Sequence, residues 1–183
     1  VPTFPTIQLP NSMLRVYPER ADYTSELLKG LPLIVTNHRE RSAFNFSPYQ
    51  GEKLRPVITY NYDNEHITPY SFDVELDDNR MKAEYALSHQ SAIYRITYEA
   101  DKPAYLIVNS RNGSIHANEN FISGRQQLND NTNVYVYIEA QEKPISAGIL
   151  ENGTIETSKD NAEGANACAA WRFADGTTTV NLR

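Results

Sequence analysis

Short runs rich in β-branched and aromatic residues recur along the whole chain, and turn residues separate them at intervals of roughly 8 to 12 residues. That rhythm is too short for helices alternating with strands. It matches antiparallel sheets packed face to face. The runs fall at 31–36, 56–62, 70–76, 80–87, 91–98, 104–109, 133–140, 145–150, 167–173 and 177–182. Asn112-Gly113, Asn152-Gly153 and Asp175-Gly176 read as hairpin dipeptides, because Asn, Asp and Gly reach positive φ at low cost. The Asp-Asp-Asn at 77–79 reads as a turn of the same kind.

Alternation assigns faces within these runs. Phe72, Val74 and Leu76 point one way and Asp73 and Glu75 the other, which predicts a strand with one wet face. In 133–140, Val134, Val136 and Ile138 alternate with Tyr135 and Tyr137, so both faces are apolar. Such a strand is central and covered on both sides, or it turns its tyrosines toward a partner. One stretch, "ERADYTSELLKG" at 19–30, carries a helical pattern with Lys29-Gly30 as its stop. The expectation is therefore all-β: one domain over 1–183, a large antiparallel β-sandwich of roughly ten or more strands with at most one short helix. The last run ends at the last residues, which predicts an N-terminal fragment of something longer.

Composition narrows the function classes. Hydrophobic residues make up 40% and charged residues 22%, so the chain can bury a core. A net charge of −6 argues against nucleic acid, which selects basic surfaces. No apolar run approaches the roughly 18 residues that span a bilayer. Cys168 is the single cysteine and sits in "NACAAW", which reads as a small core residue and excludes an internal disulfide. His38, His66, His89 and His116 are scattered without the spacing of a zinc site, so no metal ligand is assigned. "DNEH" at 63–66 gathers two carboxylates and an imidazole. It reads as a solvated turn, with a ligand- or calcium-touching loop as the lesser option. "NHRERS" at 37–42 reads as a surface loop or as a polar rim for a sugar. The 12 tyrosines stack on sugar faces and are equally good strand residues.

The chain opens on a proline-broken apolar ribbon, "TFPTIQLPNSMLRVYPER" at 3–20. Proline lacks the backbone donor that an inner strand needs, so the ribbon is an edge or a wall. The order of this ribbon and the later segments "TPYSFDVEL", "SHQSAIYRITYE", "AYLIVNSRNGSI", "FISGRQ" and "NVYVYIEAQEKP" resembles the N-terminal domain of glycoside hydrolase family 92, the calcium-dependent exo-acting α-mannosidases. The likeness runs over nearly the whole chain. It departs at 17–38, where family members usually carry a tryptophan and this chain has none.

The resemblance implies a two-part enzyme. A β-sandwich precedes a helical barrel, and the barrel supplies the general acid, the general base and most calcium ligands for an inverting hydrolysis. By that implication this chain holds no catalytic residue, needs no cofactor of its own and is inactive alone. Its partners are the C-terminal catalytic domain of the same polypeptide and a glycan, and its location is periplasmic or extracellular. The ribbon would pack on the sandwich through Ile7 and Leu9, turn at Pro10-Asn11 and deliver Tyr17 and Arg20, with His38 nearby, to the substrate cleft. The competing expectations are an autonomous carbohydrate-binding module and a purely structural β domain.

Overall fold

The structure is a computed structural model that describes residues 6–12, 14–22, 24–34, 43–76, 80–129 and 131–183. Every element among them is a strand, and every pairing is antiparallel. In chain order they are β1 (Leu27–Lys29), β2 (Leu31–Ile34), β3 (Ala43–Tyr49), β4 (Thr59–Asn61), β5 (Asp63–Ile67), β6 (Ser71–Leu76), β7 (Met81–Leu87), β8 (Ala92–Thr97), β9 (Tyr105–Ala117), β10 (Ile122–Asn129), β11 (Thr132–Ile138), β12 (Ser146–Glu151), β13 (Thr154–Glu156), β14 (Asn161–Arg172) and β15 (Thr179–Leu182). An eight-stranded sheet runs β11-β10-β9-β14-β12-β13, with β3 also on β9 and β2 on β3. A five-stranded sheet runs β15-β8-β7-β6-β5, and β1 pairs with β4 alone.

Aromatic rings join the two large sheets. Phe46 of β3 meets Tyr94 of β8 edge-on at 4.6 Å between centroids. Tyr94 meets Tyr85 of β7 at 5.0 Å, and Tyr85 stacks on Phe72 of β6 at 4.9 Å. Trp171 is fully buried and donates its indole N–H to the Asn118 carbonyl at 2.7 Å, so its one polar atom is satisfied. Cys168 lies in the same core, where burial pushes its thiol up to about 12. The sandwich is closed at one corner by main chain. Glu139 and Arg183 exchange backbone hydrogen bonds of 2.9 and 3.0 Å, and Gln141 donates to the Asn181 carbonyl at 2.9 Å.

The structure departs from the sequence reading at several places. The stretch 19–30 is not a helix: Arg20 pairs with Leu28, and β1 follows. The Asp22 carboxylate accepts from the Thr24 amide and hydroxyl, both at 2.9 Å, which favours a turn over a helix interior. Leu28 is then fully buried while Leu27 is exposed, the period of a strand. Asn112-Gly113 is not a turn, because β9 runs straight through it. The strand "AFNFSPY" escaped notice because both of its faces are buried, which removes alternation. Its Pro48 lies past the end of β2, where a missing N–H is tolerated. Finally, β11 is the edge of its sheet and not a central strand, and Tyr135 and Tyr137 are exposed. Asn152-Gly153 does form the β12–β13 hairpin, with φ of 50° and 82°. The expected turn at 77–79 lies outside the described residues.

Candidate functional site

The opening ribbon folds as a wide hairpin. Ile7 and Val16 exchange backbone hydrogen bonds of 2.9 and 3.1 Å, and both are fully buried. The turn falls at Pro10-Asn11, with Asn11 at φ 58° and the Ser12 amide donating to the Leu9 carbonyl at 3.1 Å. Leu9 packs part-buried on the core. Beyond Val16 the chain runs extended, so consecutive side chains point to opposite sides. Glu19 and Arg20 use that alternation. Glu19 forms an ion pair with Arg111 of β9, and Arg20 forms one with Glu65 of β5. Two adjacent residues of opposite charge therefore tie the ribbon to both large sheets.

Each partner is aimed by a local feature. In β5 the register shifts between Asp63 and His66, and Asn64 sits at φ 50°. Asp63 opposes Glu75, and His66 opposes Asp73. The extra residue puts both on the wet face and turns Glu65 inward. "DNEH" is thus a bulged edge strand rather than the expected turn, and His66 Nδ1 lies 3.2 Å from the Asp73 carboxylate. The Arg20 guanidinium also sits over the Tyr62 ring, 4.8 Å from its centroid. On the other side, Asn45 turns its amide to donate to the Phe44 carbonyl at 3.1 Å and to accept from Arg111 at 3.3 Å.

Buried polar atoms with no hydrogen-bond partner among the described residues include Arg20 Nε, both amide atoms of Asn109, and the hydroxyls of Tyr85 and Tyr94. Burial first, then Tyr94 and Glu65, hold the Tyr85 phenol protonated well above its ordinary range, against the pull of Arg20. Among the described residues no three of His, Cys, Asp and Glu converge to hold a metal ion.

Of the expected site residues, Arg20 lies in this seam and Tyr17 lies part-buried on the same ribbon. His38 and the "NHRERS" rim lie outside the described residues. Glu19, Glu65, Tyr62 and Arg111 were missed. The adjacent opposite charges at Glu19-Arg20 in a strand-like ribbon were the available signal.

The described residues form a two-sheet antiparallel sandwich with an N-terminal ribbon clamped across it. The Glycosyl hydrolase family 92 N-terminal domain matches residues 1–183, and the chain belongs to that family. The fold is similar to that of the family GH92 inverting mannosidase BT2199 from Bacteroides thetaiotaomicron VPI-5482, with a TM-score of 0.83 at 18% identity over 99% of this chain and 28% of that one. It is also similar to the family GH92 α-mannosidase BT3965 from Bacteroides thetaiotaomicron, solved with mannoimidazole, with a TM-score of 0.81 at 20% identity over 98% of this chain and 30% of that one. A third likeness is to the GH92 family glycosyl hydrolase ccman5, with a TM-score of 0.75 at 14% identity over 97% of this chain and 29% of that one. The chain therefore spans less than a third of the length of these structures. No curated protein matches it significantly.

Proposed function

We propose that this domain is the non-catalytic half of an exo-acting, α-mannosidase-like glycoside hydrolase, packed on a following catalytic domain and lining part of the glycan cleft. The observation that carries this reading is the family match over all 183 residues. In this reading the catalytic domain holds the acid, the base and the calcium, and the enzyme works in the periplasm or outside the cell. The clamped ribbon contributes Tyr17 and Arg20 to the glycan, with His38 nearby. The pairing of Arg20 with Glu65 and Tyr62 supports its part, because a guanidinium already fixed in place loses little entropy on meeting a hydroxyl.

The test uses the polypeptide that joins this domain to its catalytic domain. Tyr17→Ala is expected to raise KM for α-linked mannobiose by roughly tenfold with kcat unchanged, the signature of lost uniform binding. Arg20→Lys keeps the charge but loses the planar fork, and is expected to do the same. Unchanged KM in both variants would remove the ribbon from the cleft.

A further inference from the structure

The wet face of the eight-stranded sheet carries two adjacent rows of side chains that the ribbon does not use. In the first row Tyr137 of β11, Ser123 of β10 and His116 of β9 are in register. Phe121 lies between the rings, 5.1 Å from Tyr137 at 25° and 5.3 Å from His116 at 39°. In the second row Tyr135, Arg125, Ser114 and Glu163 are in register across four strands, β11, β10, β9 and β14. Arg125 reaches Glu163 at 3.2 Å and Asn133 at 3.3 Å. The rows are two residues apart along each strand, roughly 7 Å. By alternation, Ser114 and His116 lie on the side of β9 opposite Arg111, so this face is separate from the ribbon seam.

Tyr135 and Tyr137 are 69% and 57% exposed, although the strand's other face carries Val134, Val136 and Ile138 toward the core. Two solvated tyrosines on an edge strand call for an occupant. Beside the rings, Arg125 pairs with Glu163 at the β14 end of the row, so planar polar groups border the aromatic faces. A sugar fits both rows. Its ring presents C–H groups to an aromatic face, and its hydroxyls meet planar donors and acceptors such as Arg, Glu and Asn.

We propose that this face is a saccharide-binding platform, with Tyr135 and Tyr137 stacking on successive or adjoining sugar units and Arg125 and Glu163 taking hydroxyls. The choice of mannan as its ligand rests on the function proposed above; the saccharide class rests on the side chains alone. Affinity electrophoresis of the chain through gels holding a soluble α-mannan, β-glucan or xylan tests it. The expected result is retardation by α-mannan that falls about tenfold or more in the Tyr135→Ala/Tyr137→Ala variant. Circular dichroism and melting of the variant should match the parent, since both rings are exposed. Retardation by β-glucan or xylan alone, lost in the same variant, would uphold the platform and count against the mannoside reading. Retardation by no polysaccharide, or retardation that the double variant leaves unchanged, would overturn the platform and leave the mannoside reading standing.

Discussion

Raised above about pH 10, the domain should unfold cooperatively instead of titrating its tyrosines one by one. Tyr60, Tyr85, Tyr94 and Tyr98 are each less than a twentieth exposed, and burial pushes all four phenols above their ordinary range. Tyr60 and Tyr98 add hydrogen bonds of 2.7 and 2.8 Å donated to the Pro48 and Tyr105 carbonyls, which exist only while the phenol is protonated. The Tyr85 and Tyr94 hydroxyls have no hydrogen-bond partner among the described residues. Because the folded values lie above the unfolded one, the stability from keeping these groups neutral is complete below about pH 10 and is lost as pH rises toward the folded values. Each proton that only the folded state retains costs about 1.4 kcal/mol per pH unit, so four give about 5 kcal/mol per unit. Against a total stability on the order of 5–15 kcal/mol, that slope ends the folded state within about one to three units. Near-ultraviolet circular dichroism should therefore be lost with one steep midpoint, together with the share of the tyrosinate absorbance that comes from the four buried rings. Gradual ionisation of all 12 tyrosines with the dichroism intact would contradict the burial of the aromatic chain.

Gly113→Ala should be the most damaging single methyl in the chain. An Asn-Gly hairpin would tolerate it at about 1 kcal/mol, the ordinary cost of a side chain at a glycine turn. Gly113 instead lies inside β9, opposite Gln126 of β10, and a Cβ there would stand 1.9 Å from the Arg125 carbonyl oxygen. The obstacle is backbone, so no side chain can rotate away, and relief requires β9 and β10 to separate. The expected loss is on the order of 3 kcal/mol, the upper end of overpacking costs. For a domain of this size it lowers Tm by roughly 6–12 °C. Differential scanning calorimetry decides between the two magnitudes. A fall of only a few degrees would favour the turn.

Gly113 also shows where sequence reading stops. The dipeptide Asn-Gly specifies a permissive backbone, and a tight turn and a close approach of two strands both call for one. The alternation of Val134, Val136 and Ile138 against Tyr135 and Tyr137 was legible, and the structure keeps it. Whether that strand lies inside a sheet or at its edge depends on neighbours distant in sequence, and no local pattern records them. The same holds for β5: five residues with two carboxylates and an imidazole look like a turn until β6 pairs with them. At the ribbon, prolines foretold the wall, and Asn11 the bend. The partners of Glu19 and Arg20 lie 92 and 45 residues away, and only the folded chain brings them together.

In the proposed function this domain completes an active site it does not itself contain. Mannose release from α-linked mannobiose, followed by proton nuclear magnetic resonance in the presence of calcium, tests it directly. The domain alone should release nothing. The polypeptide that joins it to its catalytic domain should release mannose that appears first as the β-anomer, the outcome of inversion. Mannose released by the domain alone would contradict the account, as would a joined polypeptide that gives the α-anomer first or cleaves nothing.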